Sequence, residues 1–308
     1  MSKPTRTPRN LALLAGAIAV AVVAAVLLRP GQPPAPAATG GAATTANKGT
    51  TVASTPLKIY ATASPQGDII RYVQSLAEAD GTGLALKLTT SGGSGALDSY
   101  ELLANGDTDV VFTGHQPYVT AWKAAHPKLN NFDGKATVLV NAFGLYSQKH
   151  KSPADLPDGA QVLIPNEQTN LPRALFILQD LGLITLNVAK LDSSPAAIAV
   201  SEKSIVDNPR HLKLTPTDTV LRAKALPDAD ASFINGDVAL SNGVDPQQAL
   251  VREHTTDNPY ANLIYTRNDQ LQDPRVNLLA RYLTGPEVKR FIEQNYRGFV
   301  IADQKLLK

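Results

Sequence analysis

Polar and apolar positions along this chain alternate between two periods, and the switches between them lay out a run of strands and helices. Residues 57–61, LKIYA, read as a short strand. Ser64 and Pro65 then stand as N-cap and first helical residue. Ile69, Ile70, Val73, Leu76 and Ala77 follow on one face at helical spacing, ending before Gly81. Leu84, Leu86 and Leu88 alternate in a second strand. Past an SGGSG stretch, the pattern predicts a helix over 97–104, a buried strand over 109–112 and a helix over 116–125. A long strand over 136–146 is placed to cross between two lobes. The second half repeats the logic, with strands at 161–165, 212–214, 231–234 and 261–266 and helices at 171–181 and 219–225. Two further helices open at Asp273-Pro274 and Gly285-Pro286, and 299–301 closes as a strand. Such alternation predicts an α/β architecture. With crossings near 138–146 and 261–266, the chain divides into one lobe of 57–142 and 264–308 and a second of 143–263. A ligand cleft is expected between them, where loops at strand ends converge.

The first 56 residues follow neither period. Residues 11–28 are uncharged and almost wholly apolar, preceded by Lys3, Arg6 and Arg9. As a helix they would span ~27 Å, close to the hydrocarbon core of a bilayer. Segment 1–29 is therefore expected to be a transmembrane anchor or a signal segment, with its positive end cytoplasmic. Residues 30–56, rich in Ala, Thr, Gly and Pro with one charge, have the composition of a flexible linker reaching about 30 Å. A domain held off a membrane on the periplasmic or extracellular side needs such a tether.

Charge and cysteine usage narrow the chemistry. The whole sequence carries a formal charge of +2, but residues 57–308 hold 24 basic against 27 acidic side chains, a net −3. No basic face of the kind nucleic acid requires is present. With no cysteine, disulfides, thiol catalysis and thiolate-bound zinc are excluded, and so is a lipid-modified cysteine. None of the five histidines lies at metal-ligand spacing with another. SGGSG lacks the lysine of a phosphate loop.

The most informative stretch is 145–175, LYSQKHKSPADLPDGAQVLIPNEQTNLPRAL. A strand, a Pro-Asp-Gly turn and a second strand deliver the chain to a helix that begins near Asn170 and carries Arg173 in its first turn. A helix N-terminus favours anions, and the planar fork of an arginine can take both oxygens of a carboxylate. The pair points to capture of a small anionic or zwitterionic molecule. The plainer readings are an exposed Arg173 paired with Glu167 or Asp180, an Asn170 that only caps its helix, and an Asn235-Gly236 that only turns the chain.

The chain resembles the NlpA/MetQ-type substrate-binding proteins of bacterial methionine ABC importers from about Tyr60 to its end. YATASP, LLANGDTDVVFTGHQPYV, the 145–175 stretch, FINGDVAL, DNPYANLIYTR and GPEVKRFIEQNYRGFVI stand in that family's order and at similar spacing. The resemblance implies a two-lobed periplasmic-binding-protein-like fold and a partner ABC permease with its ATPase. It implies an amino-acid ligand, and neither catalysis nor a cofactor. It places Arg173 at the ligand carboxylate, Asn170 and Asn235 at the polar end of the amino acid, and His115 and Tyr118 in the pocket. Where the family commonly reads Phe-Gln-His, this chain has Thr113-Gly114-His115, and a further family aromatic falls near Ala96. Rings there would pack a thioether, so the carboxylate end is retained while the side-chain end is altered. Two other classes stay open. A sensor or surface protein with a diverged pocket and no transport role fits the lost aromatics. A hydrolase or transferase of the same shape needs a triad, metal cluster or paired carboxylates, and the sequence offers no convincing one.

Overall fold

The computed structural model describes residues 55–91, 98–192, 194–245, 248–253 and 258–308. The expected anchor over 1–29 and nearly all of the expected linker lie outside the described residues. Among those described, no helix is long and apolar enough to cross a membrane.

β1 (Leu57–Thr62) leads into α1 (Gln66–Ala79), which buries Ile69, Ile70, Val73 and Ala77 along the predicted stripe. Pro65, rather than Ser64, holds the N-cap position and has no side-chain acceptor to cap with, while the Ser64 hydroxyl donates to the Asp68 carboxylate at 2.7 Å. β2 (Leu86–Ser91), α2 (Ser99–Asn105), β3 (Val110–His115) and α3 (Gln116–Ala125) follow. α2 is capped by Asp98, whose carboxylate accepts from the Tyr100 and Glu101 N–H groups.

The single long strand expected over 136–146 is two, β4 (Phe132–Asn141) and β5 (Phe143–Tyr146). They part at Ala142, where the chain leaves one sheet for another. The Ala142 N–H donates to the Phe299 carbonyl at 2.9 Å, and its own carbonyl accepts from Gly236 at 2.6 Å. A Cβ on Gly236 would lie 1.9 Å from the Phe299 oxygen, so only glycine allows three backbones to meet there.

β6 (Gln161–Pro165) and α4 (Leu171–Asp180) match the predicted elements closely. β7 (Thr185–Leu186), α5 (Pro195–Ile198) and β8 (Ile205–Asp207) are too short to show a period, which is why the sequence does not reveal them. β9 (Lys213–Thr217), α6 (Thr219–Lys224), β10 (Ala231–Asn235), α7 (Gly236–Ser241) and β11 (Ala249–Arg252) complete this part. β12 (Asn262–Arg267), α8 (Pro274–Leu283), α9 (Pro286–Tyr296) and β13 (Val300–Leu306) return to the first.

The strands sort into a six-stranded sheet, β13-β4-β12-β3-β1-β2, and a five-stranded sheet, β11-β5-β10-β6-β9, with β7 and β8 paired separately. β1 runs parallel to β2 and β3, and β6 runs parallel to β9 and β10, as helical crossovers require. These are the two lobes. α4 packs on one face of the second sheet through Leu175, Phe176 and Leu178. α2 and α3 cover one face of the first with an aromatic cluster around Tyr100, Trp122, Phe132 and Tyr265. A third cluster runs from α1, α8 and α9 through Phe299 and Val300 to Ile234 and Ala239 of the second lobe. The lobes thus share one apolar core on the side where the chain crosses, and the cleft opens elsewhere.

Candidate functional site

The cleft forms where strands of both sheets end. His115 closes β3, Asn141 closes β4, Asn235 closes β10, and Asn170 stands just before α4. Each strand ends on a polar residue, and all three of these residues line the gap between the sheets. A cavity of 540 Å³ results, within the range that holds small molecules. His115, Tyr118, Asn170, Arg173 and Asn235 all line it, so the five residues singled out by the sequence meet in one place.

Arg173 is 2% exposed, so the surface reading fails. Its partner is neither Glu167 nor Asp180 but Glu253, eighty positions along the chain. Nε donates to Glu253 Oε2 at 3.0 Å, and Nη2 donates to Glu253 Oε1 and to the Asn141 carbonyl, the latter at 3.0 Å. Nη1 donates to Asn170 Oδ1 at 3.2 Å. The guanidinium lies between the Phe143 and Tyr260 rings, 4.5 and 4.7 Å from their centroids, a favourable setting for a desolvated cation. Four of the five guanidinium N–H groups are thereby engaged, and the bidentate fork faces Glu253 rather than the cleft. One Nη1 hydrogen remains without a partner among the described residues. Because Asn141, Phe143, Glu253 and Tyr260 flank the two chain crossings, Arg173 rivets them together as well as lining the cavity.

His115 caps α3: its Nδ1 accepts the Tyr118 N–H at 3.2 Å, so the proton sits on Nε2. Nε2 then donates to Asn170 Oδ1 at 3.3 Å, across the cleft from one sheet to the other. Burial, assisted by the Arg173 charge, lowers the imidazole pKa to about 3. The ring is neutral at any physiological pH. With Asn170 Oδ1 receiving both His115 and Arg173, the amide orientation is fixed and its two N–H donors turn toward the cavity. Asn170 and Asn235 both occupy N-cap positions, yet neither makes a side-chain cap. The capping reading is therefore not what the structure contains.

A second buried arginine, Arg222, braces the site from behind. It donates to the Phe233 and Thr217 carbonyls at 2.8 and 2.7 Å, to Glu167 at 3.1 Å and, more weakly, to Asn235 Oδ1 at 3.4 Å. The far end of the cavity is polar. The Thr62 hydroxyl donates to the Thr113 hydroxyl at 2.9 Å, and Tyr100 donates to the Thr113 carbonyl at 2.7 Å. Gly114 has φ +67°, and a Cβ on it would come within 2.4 Å of the Tyr100 hydroxyl, so glycine is required twice over. No aliphatic side chain and no phenylalanine lines the cavity among the described residues. The SGGSGA stretch, where the further aromatic is missing, lies outside them.

Sequence reasoning missed Gln66, Asn141, Asp237 and Glu253. Asn141 carried a usable signal, a polar side chain ending an apolar strand at a crossing. Asp237 reads as an ordinary first-turn acid, and Glu253 has no local pattern that joins it to Arg173.

A strand-end cleft between two α/β lobes joined by paired crossings is the arrangement of a periplasmic-binding-protein-like fold. Residues 57–303 match the model of the NlpA lipoprotein family. The methionine-binding lipoprotein MetQ of Bacillus subtilis is 30% identical over 267 residues, covering 84% of this chain and 92% of that protein. A nutrient-binding protein of Burkholderia cenocepacia, solved bound to methionine, superimposes with a TM-score of 0.71 at 30% identity, covering 80% of this chain and 99% of the other. A periplasmic substrate-binding protein of an ABC transporter from Coxiella burnetii gives 0.70 at 26% identity, covering 80% and 100%. The chain belongs to the NlpA lipoprotein family, although it contains no cysteine.

Proposed function

We propose that this chain is the extracytoplasmic solute-binding protein of an ABC importer. It captures methionine or a related zwitterionic amino acid and delivers it to a permease driven by its ATPase. The observation that carries this reading is the donor arrangement at the head of α4. Asn170 is held with both amide N–H groups toward the cavity, beside the one unengaged N–H of Arg173. Those donors suit a carboxylate. Asn235 takes the polar end of the amino acid from the second lobe, and His115 and Tyr118 close over it from the first. The site binds and does not turn over its ligand, and it needs no cofactor or metal.

The lobe boundaries belong to the same proposal: 57–142 with 264–308, and 143–263. So does attachment to the cell membrane through segment 1–29, with 30–56 as tether and the lobes on the periplasmic or extracellular side. A sensor or surface protein without a transport role is the second reading, favoured by the absence of aliphatic groups from the described wall.

Thermal denaturation of the purified full chain against the amino acids is the test. A ligand at a hundredfold over its dissociation constant stabilises the folded state by about 2.7 kcal/mol. Stabilisation by methionine or a relative, with uptake in cells that depends on the chain, supports the importer. Binding without any uptake supports the sensor, and silence toward every α-amino acid overturns the importer and favours the sensor or surface-protein reading.

A further inference from the structure

The first-lobe wall of the cleft carries three hydroxyls that the proposed capture of a carboxylate does not use. Thr62 ends β1, Thr113 stands on β3 and Ser99 opens α2, and all three line the cavity. Ala61 and Phe112 pair across β1 and β3 and are buried in the core, which sets the next residues, Thr62 and Thr113, side by side at the cleft. The Thr62 hydroxyl donates to Thr113 Oγ1 at 2.9 Å, so the Thr113 hydrogen is left over. No acceptor meets it among the described residues. The Ser99 hydroxyl has no partner among them either, and its oxygen is not one of those closed off from solvent.

Little else on this wall could hold a side chain. Its one acid, Asp98, already accepts from the Tyr100 and Glu101 N–H groups and from Trp122 Nε1. No lysine or arginine of the first lobe lines the cavity among the described residues, and the His115 ring is neutral. A charged side chain therefore finds no unengaged counter-charge there. The Tyr100 hydroxyl is spent on the Thr113 carbonyl.

We infer that Thr62, Ser99 and Thr113 select the ligand's side chain, and that the preferred ligand is an α-amino acid with a neutral hydroxyl or carboxamide side chain rather than a thioether. The inference rests on the reading of the cleft as an amino-acid site and names which amino acid that site prefers. Hydroxyls facing an open cleft are served by water, and a ligand that displaces this water without replacing its hydrogen bonds loses affinity. A thioether sulfur accepts weakly and donates nothing. A hydroxyl or carboxamide does both, taking the spare Thr113 hydrogen while giving its own to a free lone pair. Sites built to hydrogen-bond a ligand group reject the analogue that lacks it far more strongly than apolar pockets reject a missing methylene. The Asn170 and Arg173 donors stand on the other lobe, so carboxylate and side chain are held from opposite sides of the cleft.

Calorimetry on the full chain with two matched pairs tests this: L-glutamine against L-methionine, close in length, and L-threonine against L-valine, alike in shape. The polar member of at least one pair is expected to bind at least about tenfold tighter than its apolar twin. Thr113→Val keeps the shape, removes the hydroxyl and should shrink that preference at least about fivefold. Ser99→Ala, on a different element, should shrink it as well and carries the test if the first variant does not fold. Across the remaining amino acids, the tightest ligand should also bear a hydroxyl or carboxamide. If methionine, or any apolar or charged amino acid, binds tightest, the selection is overturned while the amino-acid reading of the cleft stands. A polar preference that survives both substitutions overturns it too. Silence toward every α-amino acid overturns it together with the importer.

Discussion

The two buried arginines look alike by every coarse measure and differ in what their neighbours leave undone. Arg173 and Arg222 are 2% and 0% exposed, and each is paired with a glutamate that lines or borders the cleft region. Arg222 is held by two backbone carbonyls, and its glutamate retains 29% side-chain exposure. Arg173 is held by Glu253, which is 4% exposed, and keeps one Nη1 hydrogen without a partner among the described residues, beside an amide whose orientation it fixes. Burial and charge do not separate a framework arginine from a binding one. On the proposed reading of the site, the count of unengaged donors does.

Removing the two side chains should widen that contrast. Arg173→Ala strands a buried carboxylate, which costs about 3–5 kcal/mol, and it should also abolish the ligand response. Arg222→Ala leaves Glu167 able to turn to water, so the loss should be nearer 1–3 kcal/mol, with ligand affinity reduced less than about tenfold. Chemical denaturation with and without methionine reads both. Because Arg173→Ala confounds folding with binding, Arg173→Leu combined with Glu253→Leu is the sharper variant. Replacing both members of a buried pair by apolar groups is often neutral, so stability should return while binding does not. If binding returns as well, Arg173 belongs with Arg222 as framework.

The same contrast shows what the sequence could reveal. α3, β6 and α4 were legible because their apolar stripes and their Pro and Gly boundaries are local properties. Arg173 and Asn170 were legible because they stand at the start of a helix, whereas His115 was placed in the pocket by the family resemblance alone. The 136–146 strand was read as continuous because one polar residue, Asn141, does not by itself end an otherwise apolar run. The break is imposed by the Phe299 and Gly236 backbones, contributed from far along the chain. Glu253 was invisible for the same reason, and it redirected the fork of Arg173. Local pattern thus placed the donors, and only the fold decided where they point.

The bridge from His115 to Asn170 ties one lobe to the other and is sensitive to acid. The folded pKa of His115 is about 3, below the ordinary 6.5. Between those values the unfolded chain binds a proton that the folded chain does not. The contribution is therefore complete above pH 6.5 and is lost as pH falls toward 3, at up to about 1.4 kcal/mol per pH unit. His115→Asn, which cannot titrate, should show a shallower fall in melting temperature from pH 7 to 4 than the wild type. Parallel curves would mean that the ring is charged in the folded state.

The smallest effect on stability should come from Asn235, and it completes the contrast from the other side. Its side chain caps nothing, and its one hydrogen bond, from Arg222 at 3.4 Å, is long. Asn235→Ala should therefore change stability by no more than about 1 kcal/mol. Its amide nevertheless lines the cavity with no acceptor for its N–H groups among the described residues. A ligand oxygen bound there would lose a donor, and affinity should drop at least about tenfold. That profile, stable but weakly binding, is the reverse of the one expected for Arg222→Ala. Measuring both variants by denaturation and calorimetry asks whether framework and binding functions are separable in side chains that touch one another. Equal losses in stability and affinity at Asn235 would mean that Arg222 acts through it, and the cleft would extend one residue deeper than its lining shows.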